Sequence, residues 1–294
     1  MFRDCHANQE TLISNFFILG AIARDIISES STSFSHDRLN NKISPPVYAL
    51  GGCAVNIAVP LEDAGFDANV TAPIGTDRVA EELSAEIEDL GLGKQHLLQL
   101  TGAQSTALII TDPTGSQHTY FAPGIDPSVS QWQEHLSAIP LCSDDCVVQA
   151  PHKPELMLTA LSWAQTAGLT VWAPGQYIDE LSQSEITRAF KCTDMLVANR
   201  YEASRLDEFN GPTIITNGAE PVIVRWGTES VQFTPSSQEA IDPTGCGDAF
   251  LAGLLIGLRG KQPTDMTALC NAIPQAISYA HRCLAHQGTL TYLR

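Results

Sequence analysis

The residues best suited to chemistry lie in one short stretch, D-P-T-G-C-G-D, which runs from residue 242 to residue 248. An almost wholly apolar run follows at 249–258, so we expect a buried helix to begin at Gly245, Cys246 and Gly247. The start of a helix presents unpaired N–H groups and the positive end of the helix dipole, which together suit an anion such as phosphate. Glycines at this point let a phosphate approach the backbone closely.

Asp248 would stand in the first turn of this helix, beside the anion site. A carboxylate there repels a phosphate, which favours a chemical role in which it orients a hydroxyl and takes its proton during phosphoryl transfer. The alternative is an ordinary capped helix, in which the acidic residue only complements the dipole. The G-x-G-D spacing alone favours that alternative, whereas the longer string D-P-T-G-C-G-D-A-F-L-A-G is far more specific.

Three further positions carry polar side chains where a ligand would be expected. Asp25 follows the apolar run 12–20, and ligands of open α/β sheets bind just beyond the carboxyl ends of strands. Gly51 and Gly52 precede a helical pattern, where a glycine pair lets a ligand touch the backbone. Asn56 falls in the first turns of that helix. The plainer alternatives are a loop aspartate and a satisfied interior amide.

Asn199 and Glu202 form a further polar pair, at the point where a predicted strand passes into a helix. Both side chains can face one ligand from a single turn, and a carboxylate can organise Mg²⁺ through water. The same spacing is also that of a capping box, with Asn at the cap and Glu three residues later. The residues alone leave both interpretations open.

Short apolar runs alternate with helical patterns over most of the second half of the chain, which predicts a parallel sheet with crossover helices. Earlier in the chain, the segments 105–111 and 117–121 flank the turn D-P-T-G-S and predict a hairpin. The polar segment 28–46 predicts an exposed excursion or lid arm. A long helical pattern at 264–284 is expected to be interrupted by Pro274.

The bulk composition excludes several classes of protein. At 294 residues with 44% hydrophobic residues, the chain can form one large α/β domain or two smaller ones. The net charge of −17 and the lack of a basic run argue against nucleic acid as a partner. The amino terminus does not have the pattern of a signal peptide, and no apolar run is long enough to span a membrane. The eight cysteines show no zinc-ligand spacing. We therefore expect a cytoplasmic protein.

Two strings, D-P-T-G-C-G-D-A-F-L-A-G and G-G-C-A-V-N-I-A, together resemble the two signatures of the PfkB, or ribokinase-like, carbohydrate kinase family. The resemblance implies an α/β fold, a three-layer αβα sandwich with a mostly parallel central sheet and a small β-strand lid. It implies one kinase domain over 1–294, with lid segments within about 28–50 and 95–122. By the same resemblance, Asp248 is the catalytic base and the N–H groups of Gly245, Cys246 and Gly247 form an anion hole.

The resemblance also implies the remaining site residues and cofactors. Asp25, Gly51, Gly52 and Asn56 would bind the substrate. ATP would lie against four residues in the last third of the chain, namely Asn199, Thr216, Gly218 and Gly288. Glu202 would organise Mg²⁺ through water, and Asp242 is a candidate ligand for a monovalent cation such as K⁺.

The substrate is the least constrained expectation. The D-P-T-G-C-G-D, P-G-Q and H-Q-G-T strings resemble bacterial adenosine or nucleoside kinases, whereas Ala173, Pro221 and Leu251 depart from the family pattern. A sugar kinase acting on ribose, fructose or a sugar acid is the alternative. A catalytically silent nucleotide-binding regulator is a third interpretation, although Asp248 and both glycines are present. We expect a monomer or a homodimer with a small-molecule substrate.

Overall fold

The structure is a computed structural model, and it describes residues 15–35, 40–206, 209–238, 240–259 and 261–293. Residues 12–14 of the apolar run 12–20 lie outside these ranges. No helix of the described residues is both long enough and apolar enough to cross a membrane.

Strands and helices alternate along most of the described chain. The strands are β1 (Asn15–Leu19), β2 (Ala23–Glu29), β3 (Val47–Gly51), β4 (Asp67–Ile74), β5 (Leu97–Gln99), β6 (Thr106–Thr111), β7 (Gln117–Ala122), β8 (Asp145–Gln149), β9 (Leu169–Trp172), β10 (Met195–Asn199), β11 (Thr213–Thr216), β12 (Val222–Trp226) and β13 (Glu229–Phe233). The helices are α1 (Cys53–Asp63), α2 (Arg78–Asp89), α3 (Val129–Ser137), α4 (Pro154–Trp163), α5 (Gln183–Phe190), α6 (Arg200–Arg205), α7 (Cys246–Gly257) and α8 (Met266–Leu284).

Within the described residues, nine strands form the central sheet in the order β13-β12-β11-β10-β9-β8-β1-β4-β5. All neighbouring pairs from β11 to β5 are parallel, whereas β12 and β13 add an antiparallel edge. The predicted mostly parallel sheet is therefore confirmed. The carboxyl ends of the parallel strands lie along one edge of the sheet, which is the edge where such folds bind ligands.

The two faces of the sheet are covered by different helices, as the alternation of side chains along β1 illustrates. Phe16 and Ile18 pack into a core that contains residues of α1, α2, α7 and α8. Phe17 and Leu19 pack against α3 and α4 instead, and a third cluster joins α4 to α5. Because successive residues of a strand point to opposite faces, one apolar strand supplies both layers. The three-layer αβα sandwich is confirmed.

The second sheet of the described chain contains four strands in the order β3-β2-β6-β7. The hairpin predicted around D-P-T-G-S is confirmed as β6 and β7, while β2 and β6 pair in parallel. This sheet begins at Ala23, before the expected lid segment starts at residue 28. Inside the other expected segment, 95–122, β5 belongs to the central sheet.

The expected interruption of the last long helix is wrong, because α8 continues through Pro274 as a single helix of 19 residues. Proline removes one backbone hydrogen bond, but packing against α7 compensates here. A Cβ on Gly253 would lie 2.9 Å from the Cα of Ala276, and one on Gly257 would lie 2.9 Å from the Cα of Ala272. These small residues let the two helices approach closely and bury their shared faces.

Candidate active site

The glycine-flanked start of α7 has the conformation that an anion site requires. Gly245 occupies the cap position in the left-handed region, with φ of 76°, and no side chain of the described residues caps this helix start. A Cβ built on Gly247 would meet no atom of the described chain within 4 Å, so the space beside its backbone is open. The amide of Cys246 differs from the expectation, because it donates to the carbonyl of Pro243 at 3.2 Å.

Asp248 lies half-buried in the first turn of α7, and its carboxylate contacts α1. Its Oδ2 accepts a hydrogen bond from Asn56 Nδ2 at 2.9 Å, and the thiol of Cys53 bonds the same carboxylate. Burial raises the pKa of Asp248 to about 6, against the two hydrogen bonds, and the charge of Glu202 adds to the rise. The carboxylate is therefore mostly ionised at pH 7 and is a stronger base than an exposed aspartate.

Asp25 does not lie in a loop after β1, as the sequence suggested, but within β2 of the small sheet. Its side chain is buried, and burial raises its pKa to about 7, with the nearby charges of Asp248 and Asp242 acting in the same direction. The charge of Arg24 lowers the pKa of Asp25, but its effect is smaller than that of burial or of either aspartate. The Arg24 guanidinium lies 2.7 Å from Glu86 instead. The two aspartates thus form a coupled acidic pair.

The glycine pair has a steric role that its sequence position did not reveal. A Cβ on Gly51 would lie 2.0 Å from Asp25 Oδ2, and one on Gly52 would lie 2.3 Å from the carbonyl oxygen of Ala21. Gly52 also has φ of 97°, which favours glycine. The pair therefore lets the side chain of Asp25 and the turn after β1 approach the start of α1.

One cavity of about 210 Å³ brings most of these residues together. Its polar lining includes Asp25, Asn56 and Asp248, and the backbones of Gly52 and Gly245 also face it. Apolar and aromatic side chains supply much of the remaining wall, namely Ile22, Ala107, Ile109, Phe121, Ile125 and Tyr177. An open cavity therefore connects the helix-start carboxylate to the aspartate of the small sheet.

Two oxygens on residues of this cavity have no hydrogen-bond partner in the described part of the chain. They are Asn56 Oδ1 and Thr289 Oγ1, and both are buried. An unpaired buried polar atom costs about 1–3 kcal/mol, so a small rearrangement that paired either atom with a ligand would be favourable.

Asp242 is buried and acts as a hydrogen-bond acceptor for three segments. Its carboxylate accepts from the amides of Thr244 and Gly288, each at 2.9 Å, and from Gln117 Nε2 at 3.2 Å. The described residues contain no group of three or more His, Cys, Asp or Glu side chains that could hold a metal ion. Asp242 thus ties the small sheet, the turn before α7 and the end of the chain together, and its oxygens are largely committed to protein donors.

Asn199 and Glu202 form the capping box that was one of the two interpretations of their spacing. The Asn199 side chain accepts from the Glu202 amide at 2.9 Å, and Glu202 accepts from the Asn199 amide at 3.0 Å. Burial raises the pKa of Glu202, and its charge acts on Asp248. A capping role is therefore present, and it leaves the carboxylate close enough to influence the catalytic candidate.

The four expected ATP-binding residues do not line the cavity itself. Asn199 and Thr216 are direct partners at the carboxyl ends of β10 and β11. Gly218 has φ of 56° with open space where a side chain would be, and Gly288 has φ of 87° and donates to Asp242. Asn199, Thr216 and Gly218 thus mark a second position along the ligand-binding edge of the sheet.

The sequence interpretation overlooked a further polar cluster at the cavity. Asp126 and His152 both line it, and Lys153 Nζ lies 2.8 Å from Asp126 Oδ2. His152 and Lys153 follow β8 directly, so the rule that drew attention to Asp25 would have identified them as well. Asp126 lies in an irregular segment between β7 and α3, where no regular pattern signals a site.

Cys246 and Cys283 lie close together beneath the start of α7. A hydrogen bond from Cys283 lowers the pKa of the Cys246 thiol, although burial opposes this effect.

Comparison with known proteins agrees with the geometry. The sequence profile of the pfkB family carbohydrate kinases matches residues 14–277. The chain is 24% identical over 268 residues to a nucleoside kinase of Methanothermobacter thermautotrophicus, which covers 86% of this chain and 84% of that protein. It is 24% identical over 254 residues to an ATP-dependent ribose-1-phosphate kinase of Halopiger xanaduensis, with 82% and 79% covered.

Solved structures give the same picture. The nucleoside kinase of Burkholderia thailandensis in complex with inosine is 25% identical and superposes with a TM-score of 0.78, covering 95% of this chain and 94% of that one. A ribokinase of Thermotoga maritima, 18% identical, superposes with a TM-score of 0.77 over 96% of both chains and supports the fold alone.

Proposed function

The chain belongs to the pfkB family of carbohydrate kinases, and from that premise we propose that it transfers the γ-phosphate of ATP to a primary hydroxyl of a nucleoside. ATP-dependent phosphorylation of a nucleoside or a sugar is the coarser activity that the family and its relatives establish. The finer proposal concerns the acceptor and the residues that act on it.

The observation that carries this proposal is the shared cavity of Asp248 and Asp25, with the open start of α7 beside it. Asp248 orients the acceptor hydroxyl and takes its proton, while Asn56 holds the carboxylate in place. Asp25 and Asn56 bind other hydroxyls of the sugar. A base with a pKa of about 6 is ionised at neutral pH, which is sufficient when the proton moves late in a loose transition state.

ATP fits the two positions along the sheet edge. The space beside Gly247 accommodates a phosphate at the helix start, and Asn199, Thr216 and Gly218 would hold the rest of the nucleotide at the ends of β10 and β11. Mg²⁺, held through water by Glu202, would neutralise charge on the phosphates. A monovalent cation at Asp242 fits less well, because three protein donors already occupy that carboxylate.

A nucleoside suits the cavity better than a bare sugar because of its walls. Sugars are recognised by many polar groups, whereas Ile22, Ala107 and Ile109 give an apolar surface and Phe121 and Tyr177 add aromatic rings. These side chains suit the flat face of a nucleobase. The names of two of the relatives, both nucleoside kinases, point in the same direction.

A coupled assay of ADP release over a panel of nucleosides and sugars tests the proposal. We expect kcat/KM for adenosine or inosine to exceed that for ribose and fructose by at least about tenfold, the factor that 1.4 kcal/mol of base contact would give. A preference for ribose, fructose or a sugar acid would show that the acceptor substrate is a sugar and not a nucleoside. ATP binding without turnover of any substrate would indicate a silent regulator.

A further inference from the structure

The proposed phosphoryl transfer leaves the polar cluster of Asp126, His152 and Lys153 without a role. Asp126 and His152 line the same cavity as Asp248, and their side chains are only 19% and 8% exposed. Asp126 is held by Lys153, which lies 2.8 Å away and does not line the cavity. The cluster is therefore a fixed polar feature in a mostly apolar wall.

The hydrogen-bonding capacity of the cluster is specific. The backbone amide of Lys153 donates to His152 Nδ1 at 2.8 Å, so the proton of the neutral ring is on Nε2. Burial lowers the pKa of His152 more than Asp126 raises it, so the ring is neutral at pH 7. His152 Nε2 lies 3.5 Å from Asp126 Oδ1, which is too long for a firm hydrogen bond. A donor and an acceptor therefore lie side by side, each with unused capacity.

The cluster lines the same cavity as Asp248 and is held in place independently of it. The two groups rest on different supports, since Asp248 is held by Asn56 and Cys53 whereas Asp126 is held by Lys153. In a nucleoside the base and the 5′-hydroxymethyl group are attached to C1′ and C4′, the two carbons that flank the ring oxygen, so the base and the 5′-hydroxyl contact different parts of a binding cavity. When the hydroxyl faces Asp248, the base must extend toward another wall, and aromatic residues of the cavity, Phe121 and Tyr177, offer it flat apolar surfaces.

We propose that Asp126 and His152 read the edge of the nucleobase. Asp126 accepts a hydrogen bond from a base N–H, and His152 Nε2–H donates to the adjacent carbonyl or ring nitrogen. Bases present such a donor beside an acceptor, as adenine does at its N6–H group and a neighbouring ring nitrogen. This inference rests on the proposed nucleoside kinase activity and adds the residues that select the base. Lys153 is a positioning residue that orients the Asp126 carboxylate.

Loss of the contacts between this cluster and the base should weaken substrate binding and leave the chemical step largely unchanged. Contacts to the base are made equally in the ground state and the transition state, so losing them raises KM with little change in kcat. A hydrogen bond to a charged group is worth about 1.5–3 kcal/mol, which corresponds to about 10–150-fold in kcat/KM.

The test compares Asp126→Ala with the wild-type enzyme on paired substrates, adenosine with N6,N6-dimethyladenosine and inosine with 1-methylinosine. Methylation removes the base N–H, so the wild type should prefer the parent of at least one pair by about tenfold or more. Asp126→Ala should lose most of that preference while its kcat for the methylated substrate stays within about twofold of wild type, the margin that additivity allows. Asp179→Asn is the matched control, since Asp179 also pairs with a cation, Arg205, at 2.8 Å but is not part of the cavity wall.

The outcomes separate this inference from the proposed function. A wild-type enzyme that phosphorylates no nucleoside refutes the proposed function, and this inference with it. A wild-type enzyme that phosphorylates nucleosides but tolerates methylation in both pairs overturns only the base-reading role, as does an Asp126→Ala variant that keeps the preference. Should Asp126→Ala fail to fold, Asp126→Leu is close to aspartate in shape, has no hydrogen-bond acceptor and carries the same comparison.

Discussion

The two acidic ends of the cavity are built on opposite electrostatic principles. Burial raises the pKa of both Asp248 and Asp25, to about 6 and about 7, and the charge of Asp248 adds to the rise at Asp25. Asp126 instead has a lysine ammonium at 2.8 Å. Arg24 could have neutralised Asp25, but its guanidinium bonds Glu86. We therefore propose that the first end is poised for proton transfer, at a cost in stability, and that the second end serves recognition.

The largest effect on activity is expected when the charge of Asp248 is removed. Asp248→Asn keeps the shape of the side chain and can still accept from Asn56 Nδ2 through its amide oxygen. Because the amide cannot take a proton, we expect kcat to fall by about 10²–10⁴-fold while substrate affinity stays within a few-fold. Steady-state kinetics with a binding titration measures both, and near-normal turnover would show that Asp248 is not the base.

The next largest effect is expected at Asp25, the second carboxylate at the same end of the cavity as Asp248. Asp25→Asn should raise KM for the acceptor, because a charged hydrogen bond to a hydroxyl is lost. The same change should stabilise the free protein at pH 8, where wild-type Asp25 must carry a buried charge beside two others. A scan of thermal unfolding should therefore show a melting temperature several degrees above wild type. A lower melting temperature for Asp25→Asn at pH 8 would contradict the coupled-pair description.

The pH dependence of stability sharpens this prediction. The folded pKa of Asp25, about 7, is above its ordinary value of 3.8, so the folded state binds more protons than the unfolded state between those values. Its contribution to the free energy of unfolding therefore decreases as pH rises from about 4 to 7 and is constant above. The advantage of Asp25→Asn should grow over that window and then level off, as urea titrations at several pH values can measure.

Activity should rise with pH, whereas the contribution of Asp25 to the free energy of unfolding falls. Asp248 must be ionised to act as a base, so kcat/KM should fall about tenfold per pH unit below its pKa of about 6. The expected profile has its acidic limb near pH 6 in the wild type and none there in the residual activity of Asp248→Asn. An acidic limb near pH 4 would mean that burial does not act on this carboxylate.

The smallest effect tests a residue outside the cavity, where two interpretations still compete. Glutamine can replace glutamate in a capping box, so Glu202→Gln should preserve the stability of α6. A carboxylate that only caps the helix would leave the dependence of activity on Mg²⁺ concentration unchanged. If Glu202 organises the ion, the variant should need several-fold more Mg²⁺ for half-maximal activity. Asn199→Ala removes the cap itself and should cost about 1 kcal/mol of stability.

The local chemistry of this protein can be read from its amino-acid sequence alone. The order of Gly245, Gly247 and Asp248 specifies an open helix start with an acid in its first turn, and these features depend only on residues close in the chain. The same holds for the alternating apolar runs that make the parallel sheet and for the capping box at Asn199. Local conformational preference and hydrophobic periodicity are properties of short segments, so they can be read without coordinates.

Which of these groups act on one another depends on how the elements pack in three dimensions. Asp25 and Asp248 are far apart in the chain and share a cavity because β2 belongs to the small sheet, whose strand β7 contacts the turn before α7 through Gln117. The raised pKa values, the continuous helix through Pro274 and the cluster at Asp126 have the same origin. Burial and charge coupling depend on distances through space, which the spacing of residues along a chain does not contain.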